Sequence, residues 1–215
     1  MNPIKRNKTV IAVHRLAAKG ELYYVDSVPY FQGRHIIHKD SPIDGGVSVG
    51  QVEREALVVD FNKSKIIPVL YEEAKKASTF RGQIDKDLIL TAVFDVVTKR
   101  MKTDESKVEK IIRETATAKD RKISIDHFIS AGAAVCRQHA LVCGVLIERF
   151  IKDGYLNGKV SIDRNSVYNN GHVWCRYTSS SGKVLILDPT LKFKGKLEQG
   201  LKKGAWCYNR AEDGI

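Results

Sequence analysis

Apolar residues change their rhythm twice along this chain. Through the first 61 positions they come in short runs, Thr9–Leu16, Glu21–Val28 and Ala56–Phe61, set apart by Gly20, Gly33 and the turn-forming Ser41-Pro42-Ile43-Asp44-Gly45-Gly46. That pattern predicts a β-rich, irregular region. From Pro68 the spacing becomes helical: Pro68 suits a first turn, and Val69, Leu70, Ala74 and Ala77 follow at helical intervals. A second helix is predicted over Asp87–Met101, with Leu88, Leu90, Ala92, Val93, Val96 and Val97 as a broad stripe. Thr103 or Asp104 can cap a third, Glu105–Ala118, and Ser124 or Asp126 a short turn that stops at Gly132.

Cys136–Ile151 is the most apolar helix of all, with polar side chains only at Arg137, Gln138, His139, Glu148 and Arg149. A helix apolar nearly all round is a buried one, and Lys152-Asp153-Gly154 is a good stop. Strand-like runs follow at Lys159–Ile162, Gly171–Tyr177 and Lys183–Leu187. Helices first, then an antiparallel sheet packed on the last and most buried helix, make an α+β arrangement. The expected division is an N-terminal β-rich region over 1–65 and a main domain over 66–215.

With 215 residues, 43% of them hydrophobic, the chain can bury a substantial core, which excludes disorder and low complexity. Four cysteines, at 136, 143, 175 and 207, are too few for a disulfide scaffold. Met1–Thr9 is basic and polar, and Val10–Val13 is cut by His14 and Arg15, so no secretory signal is readable. No window approaches the roughly 18 apolar residues of a spanning helix. A cytoplasmic setting with reduced thiols and no membrane partner is the expectation. The net charge of +11 invites a nucleic-acid reading. The excess is spread, however: residues 99–122 mix nine basic with five acidic side chains, and 192–203 hold five lysines against Glu198. Neither stretch interleaves aromatics as a single-strand groove does, so a solvated basic face is expected and nucleic acid is not.

Chemistry concentrates further on. His172-Val173-Trp174-Cys175-Arg176-Tyr177 and Lys183-Val184-Leu185-Ile186-Leu187-Asp188 flank a Ser/Gly segment and read as a hairpin. If Tyr177 and Lys183 close a five-residue loop, paired residue numbers sum to 360 and His172 faces Asp188 directly. An even-numbered loop would put the two on opposite faces. A carboxylate beside an imidazole fixes its tautomer and stabilises the imidazolium. Cys136 is the matching nucleophile: it follows the small residues Ala131-Gly132-Ala133-Ala134 and opens a helix whose N-terminus favours negative charge. Its backbone N–H, unpaired at a helix start, can donate to an oxyanion.

Gly132-x-x-x-Cys136-Arg137-x-x-Ala140, Gly171-His172-Val173-Trp174 and Leu187-Asp188-Pro189-Thr190, in that order, resemble the three motifs of the transglutaminase-like superfamily of Cys-His-Asp enzymes. The resemblance spans 124–192. It implies a papain-like α+β core with the nucleophile on the helix and the His and Asp on neighbouring strands, making 66–215 the catalytic domain. It further implies Cys136 as nucleophile, His172 as general base and acid and Asp188 as its orienter, with no cofactor. Ala134-Val135-Cys136-Arg137 departs from the Gly-Gln-Cys-Trp type of the calcium-dependent animal transglutaminases, and the zinc-binding cysteine pairs of peptide N-glycanases are missing.

The expected function is a cysteine-dependent amide hydrolase, protease or protein deamidase, acting on a protein or peptide amide through a thioester. The alternatives are a transglutaminase-type acyl transferase and a non-catalytic binding module on the same fold. Among the remaining candidates, Cys143 and Cys175 read as core, and nothing decides Cys207. A zinc site from Cys136, Cys143, His172 and Cys175 fails on spacing. His139 lacks a carboxylate partner and reads as a surface or supporting residue. Trp174, on the face of His172, either lines the substrate groove or packs in the core. Asp163, Arg164 and Asn165 read as loop or sheet-edge residues. Gln83 and Gln138 are unassigned oxyanion donors.

Overall fold

The computed structural model describes residues 17–39, 41–49, 55–116, 122–165, 171–202 and 206–214. The predicted strand Thr9–Leu16 lies outside them. The predicted run Glu21–Val28 is cut in two, because Asp26 and Ser27 both take positive φ (48° and 67°). Two left-handed central residues make a tight turn whose twist suits a hairpin. Strands β1 (Leu22–Val25) and β2 (Val28–Phe31) therefore pair antiparallel, and β3 (Arg34–His35) joins β2. β4 (Val47–Val49) pairs antiparallel with β5 (Ala56–Val58).

Helix α1 (Ile67–Ala77) starts where Ser64 Oγ accepts from the N–H groups of Ile66 and Ile67, with a proline in its first turn. After the short hairpin β6 (Thr79–Phe80) and β7 (Gln83–Ile84), Asp85 caps α2 (Lys86–Arg100) by accepting from Asp87 N. β8 (Lys102–Thr103) leads to α3 (Glu105–Thr115), capped by Asp104, one of the two residues expected there. β9 (Lys122–Ser124) runs parallel to β5, and α4 (Asp126–Ala131) ends at Gly132 with φ 66°. β10 (Ala133–Ala134), parallel to β8, feeds α5 (Cys136–Lys152).

Eleven of the seventeen α5 residues are buried, in line with its apolar circumference. Its sheet partner is β11 (Gly158–Asn165), β12 (His172–Ser179), β13 (Val184–Asp188) and β14 (Phe193–Lys196), antiparallel in that order. The molecule is thus α+β, with six helices and several small sheets among the described residues, the four-stranded one packed against α5. Cys175, Tyr177 and Leu187 face the core that α5 shares with α1 and α2. Trp174 and Ile186 point the other way and are covered by Phe193, by Leu197 of α6 (Leu197–Lys202) and by Tyr208. β14, α6 and the segment after them are not visible in the hydrophobic pattern, because Lys192, Lys194, Lys196, Lys202 and Lys203 mask Phe193 and Leu197.

One tie between the N-terminal region and α5 runs through Glu148. The Glu148 carboxylate accepts from Ile43 N (3.0 Å) and Asp44 N (2.6 Å), while Ile43 and Ile162 pack over Gly144, where an added Cβ would meet both Cδ1 atoms at 2.7 Å. Gly158 is more tightly constrained: its φ is 152° and a Cβ there would lie 2.3 Å from the backbone oxygen of Thr178. Backbone strain and overpacking each cost about 1–3 kcal/mol. Gly158→Ala should destabilise the protein by about 3 kcal/mol, lowering Tm by about 6–12 °C, measurable by calorimetry.

Candidate active site

The hairpin that carries His172 and Asp188 closes differently from the expectation. Ser179 N donates to Lys183 O (2.9 Å), and Gly182 turns the chain with φ 81°, leaving a three-residue loop. Three-residue hairpin loops end in such a left-handed glycine. Paired numbers therefore sum to 362, as in Cys175 with Leu187 and Tyr177 with Leu185. The register is shifted by two residues from the one expected: Trp174, not His172, takes the position across from Asp188. Because the shift is even, His172 and Asp188 still share a face, on a diagonal that long side chains can bridge. His172 Nε2 donates to Asp188 Oδ2 at 2.5 Å.

Cys136 opens α5 and His172 opens β12, so the two meet where helix and strand begin. Nε2 is taken by Asp188, and Cys136 acts on the same imidazole, favouring its charged form. Burial opposes charging of the imidazole, but the bonds to Asp188 and Cys136 outweigh it and push His172 up to about 9. The thiol is partly accessible, whereas His172 and Asp188 are buried.

Several groups surround this pair. Asp188 accepts from Tyr208 OH (2.9 Å, Oδ2) and from Leu191 N (3.1 Å, Oδ1). Burial first, and the carboxylate second, raise the Tyr208 phenol, which stays a donor. Trp174 lies nearly parallel to the imidazole at 6.1 Å and Trp206 tilts against it at 5.0 Å. Trp174 packs against Tyr208 and also borders an adjoining cleft. Of the two places expected for His139, at the surface or in support of the site, the surface is excluded, because it is buried. One ring nitrogen meets Thr190 Oγ1 at 2.8 Å and the other lies 3.2 Å from Met101 O. It thereby anchors the chain two residues after Asp188.

The residues read as loop or sheet edge occupy β11, and Asp163 is buried there. Asp163 receives Arg210 through Nε (2.7 Å) and an Nη (2.5 Å); the same guanidinium reaches Ser161 Oγ, and Arg176 grips Asp213 with both Nη atoms. These forks strap residues 208–213 over the outer sheet face, which brings Tyr208 to Asp188. Arg164, on the opposite face of β11, is pushed down by burial, which Cys136 offsets in part. Arg137, beside the thiol in sequence, forms an ion pair with Glu55.

Cys143 and Cys175 are fully buried, burial raises both thiols, and Cys207 is exposed. Gln138 Oε1 accepts from Val135 N (3.2 Å), while Gln83 is exposed in the β6–β7 hairpin. The first backbone bond of α5 runs from His139 N to Val135 O, which leaves the N–H of Cys136 ahead of the helical ladder. Among the described residues, no group of three or more His, Cys, Asp or Glu is placed to hold a metal, and no helix is long and apolar enough to cross a membrane. Set against known proteins, the chain matches no family model, no curated sequence and no solved structure.

Sequence reasoning missed Tyr208, Arg210 and Thr190. Only the aromatic cluster Trp206-Cys207-Tyr208 hinted at the first, and Thr190 sat unread in the third motif.

Asp188→Asn removes the charge that holds the proton on His172. The imidazole titration of His172, followed by NMR, should fall from about 9 toward the unperturbed 6.5, because burial is then opposed by Cys136 alone. The wild-type elevation also has a sign for stability. The folded state holds a proton that the unfolded chain loses near 6.5, so this contribution is full below pH 6.5 and vanishes as pH rises through about 9. Denaturant midpoints at pH 6 and 9.5 should converge in His172→Ala relative to wild type. Arg210→Ala strips a buried carboxylate of its main partner and should cost about 3 kcal/mol, read as a lowered urea midpoint.

Proposed function

We propose that this protein is a cysteine-dependent amide hydrolase of the protease or protein-deamidase kind, using Cys136, His172 and Asp188 in a papain-like arrangement akin to the transglutaminase-like superfamily. The single observation that carries this reading is the imidazole of His172, held at Nε2 by buried Asp188 and influenced by partly accessible Cys136, the first residue of a helix. A side chain held that way has one mobile proton and one direction to move it.

The chemistry follows in balanced steps. His172 takes the thiol proton, and Cys136 sulfur attacks the carbonyl carbon of a carboxamide. The oxyanion forms near the Cys136 N–H. The C–N bond then breaks as His172 returns the proton to the departing amine or ammonia, leaving a thioester. Water, deprotonated by His172, attacks the thioester, the C–S bond breaks, and the acid and the thiol are released. An amine in place of water would give acyl transfer through the same thioester. Asp188, held by Tyr208 and Leu191 N, keeps the ring in one tautomer throughout.

Hydroxylamine tests the intermediate without knowledge of the natural acceptor, since it converts a thioester into a hydroxamate. A panel of glutamine- and asparagine-containing peptides and casein should yield hydroxamate, or ammonia when hydroxylamine is omitted. Cys136→Ala and His172→Ala should each lose about 10³-fold or more. Alkylation of Cys136 by iodoacetamide at pH 7 at the same rate in wild type and in His172→Ala would show that the ring does not activate the thiol, and would overturn the assignment.

A further inference from the structure

A cleft of about 350 Å³ opens between β11 and the segments around Lys39 and Ser48, with Arg137, the residue after Cys136, and with Arg164 and Trp174 in its wall. Among the described residues its charges do not balance. Arg210 is spent on Asp163, and Lys39 lies 3.2 Å from Glu212. Arg137 holds Glu55 yet keeps a buried Nη1 without a partner. Arg164 has no carboxylate partner among the described residues, and its Nε is also buried and unpartnered. The two guanidiniums are close enough to repel: burial first, and the Arg164 charge second, push Arg137 down. Among the described residues, then, Glu55 pairs with Arg137 and no carboxylate pairs with Arg164, which acts electrostatically on Cys136. Leaving guanidinium N–H groups buried and unmet is costly. A planar carboxylate is the group their fork geometry fits.

Resting on the thiol chemistry proposed above, we propose that this cleft is a carboxylate subsite, so that the acyl donor is an acidic peptide or amide whose carboxylate Arg164 grips while Cys136 attacks the neighbouring carbonyl. The arrangement then selects anionic donors and places no demand on the leaving amine.

Small alkylating reagents test this without the natural substrate, because displacement of iodide by the Cys136 sulfur needs only the thiolate and room for the reagent. Rates at Cys136 are measured by peptide mass spectrometry for iodoacetate against iodoacetamide, and for 3-iodopropionate against 3-iodopropionamide. Each acid-to-amide ratio is divided by that of a free cysteine peptide, so changes in thiolate fraction cancel. Wild type should show a ratio at least about tenfold above the free peptide for one of the two pairs. Arg164→Gln should lose that preference, and Arg164→Lys should retain part of it. Cys143 and Cys175, buried in the folded protein, report unfolding if they become labelled. A wild-type ratio equal to the free peptide for both pairs overturns the subsite, as does a ratio unchanged in Arg164→Gln. Failure of every reagent at Cys136 while exposed Cys207 reacts removes the nucleophile itself, and with it the subsite; that outcome is distinct from a lost preference.

Discussion

A carboxylate and an imidazole taken out of water must be surrounded by partners, or burial neutralises them. Much of the C-terminal third of this protein meets that one demand. Asp188 is almost wholly inaccessible and accepts from His172, Tyr208 and Leu191 N. Each of those donors is in turn held: His172 between Trp174 and Trp206, and Tyr208 stacked on Phe193 at 5.3 Å. The strap that delivers Tyr208 is fastened by two arginine–carboxylate forks on the sheet. Remove the demand for a buried, ionised Asp188 and this polar investment on the outer sheet face has no evident purpose.

The inner face obeys a different constraint. Helix α5 is the element on which α1, α2 and the large sheet all pack, and its apolar surface leaves little freedom in how it sits. Gly144 lets Ile43 and Ile162 close over it, and Glu148 pins the backbone at Ile43 and Asp44. A rigidly seated helix gives a rigidly seated first residue. Cys136 thus reaches His172 because the body of α5 is fixed by packing several turns away.

Between these two regimes lie the arginines. Arg176 and Arg210 grip Asp213 and Asp163 and serve the architecture, although Arg176 leaves its Nε unmet, whereas the unmet donors of Arg137 and Arg164 lie in residues that wall the cleft. The net charge of +11 is mostly spread along the chain, but the part that bears on the site is the Arg164 guanidinium, which has no carboxylate partner among the described residues.

Several features were legible in the residues alone. The burial of α5 follows from its apolar circumference, the cap of α3 from Asp104, and the shared face of His172 and Asp188 from loop parity. The α+β order of elements follows from the change of hydrophobic period. What the linear pattern does not carry is the exact pairing, since Ser179 and Lys183 close the loop around a left-handed Gly182 and shift the register by two. Nor does it carry the strap, because Tyr208 and Arg210 act on partners 20 and 47 residues away and local periodicity holds no record of such distances. The buried state of His139 and Asp163 was hidden for the same reason: a polar side chain looks exposed until its partners, Thr190 and Arg210, are brought to it. Periodicity determined which segments form and which faces they bury; only the folded chain decided which polar groups meet, because hydrogen-bond partners are selected in space and not along the backbone.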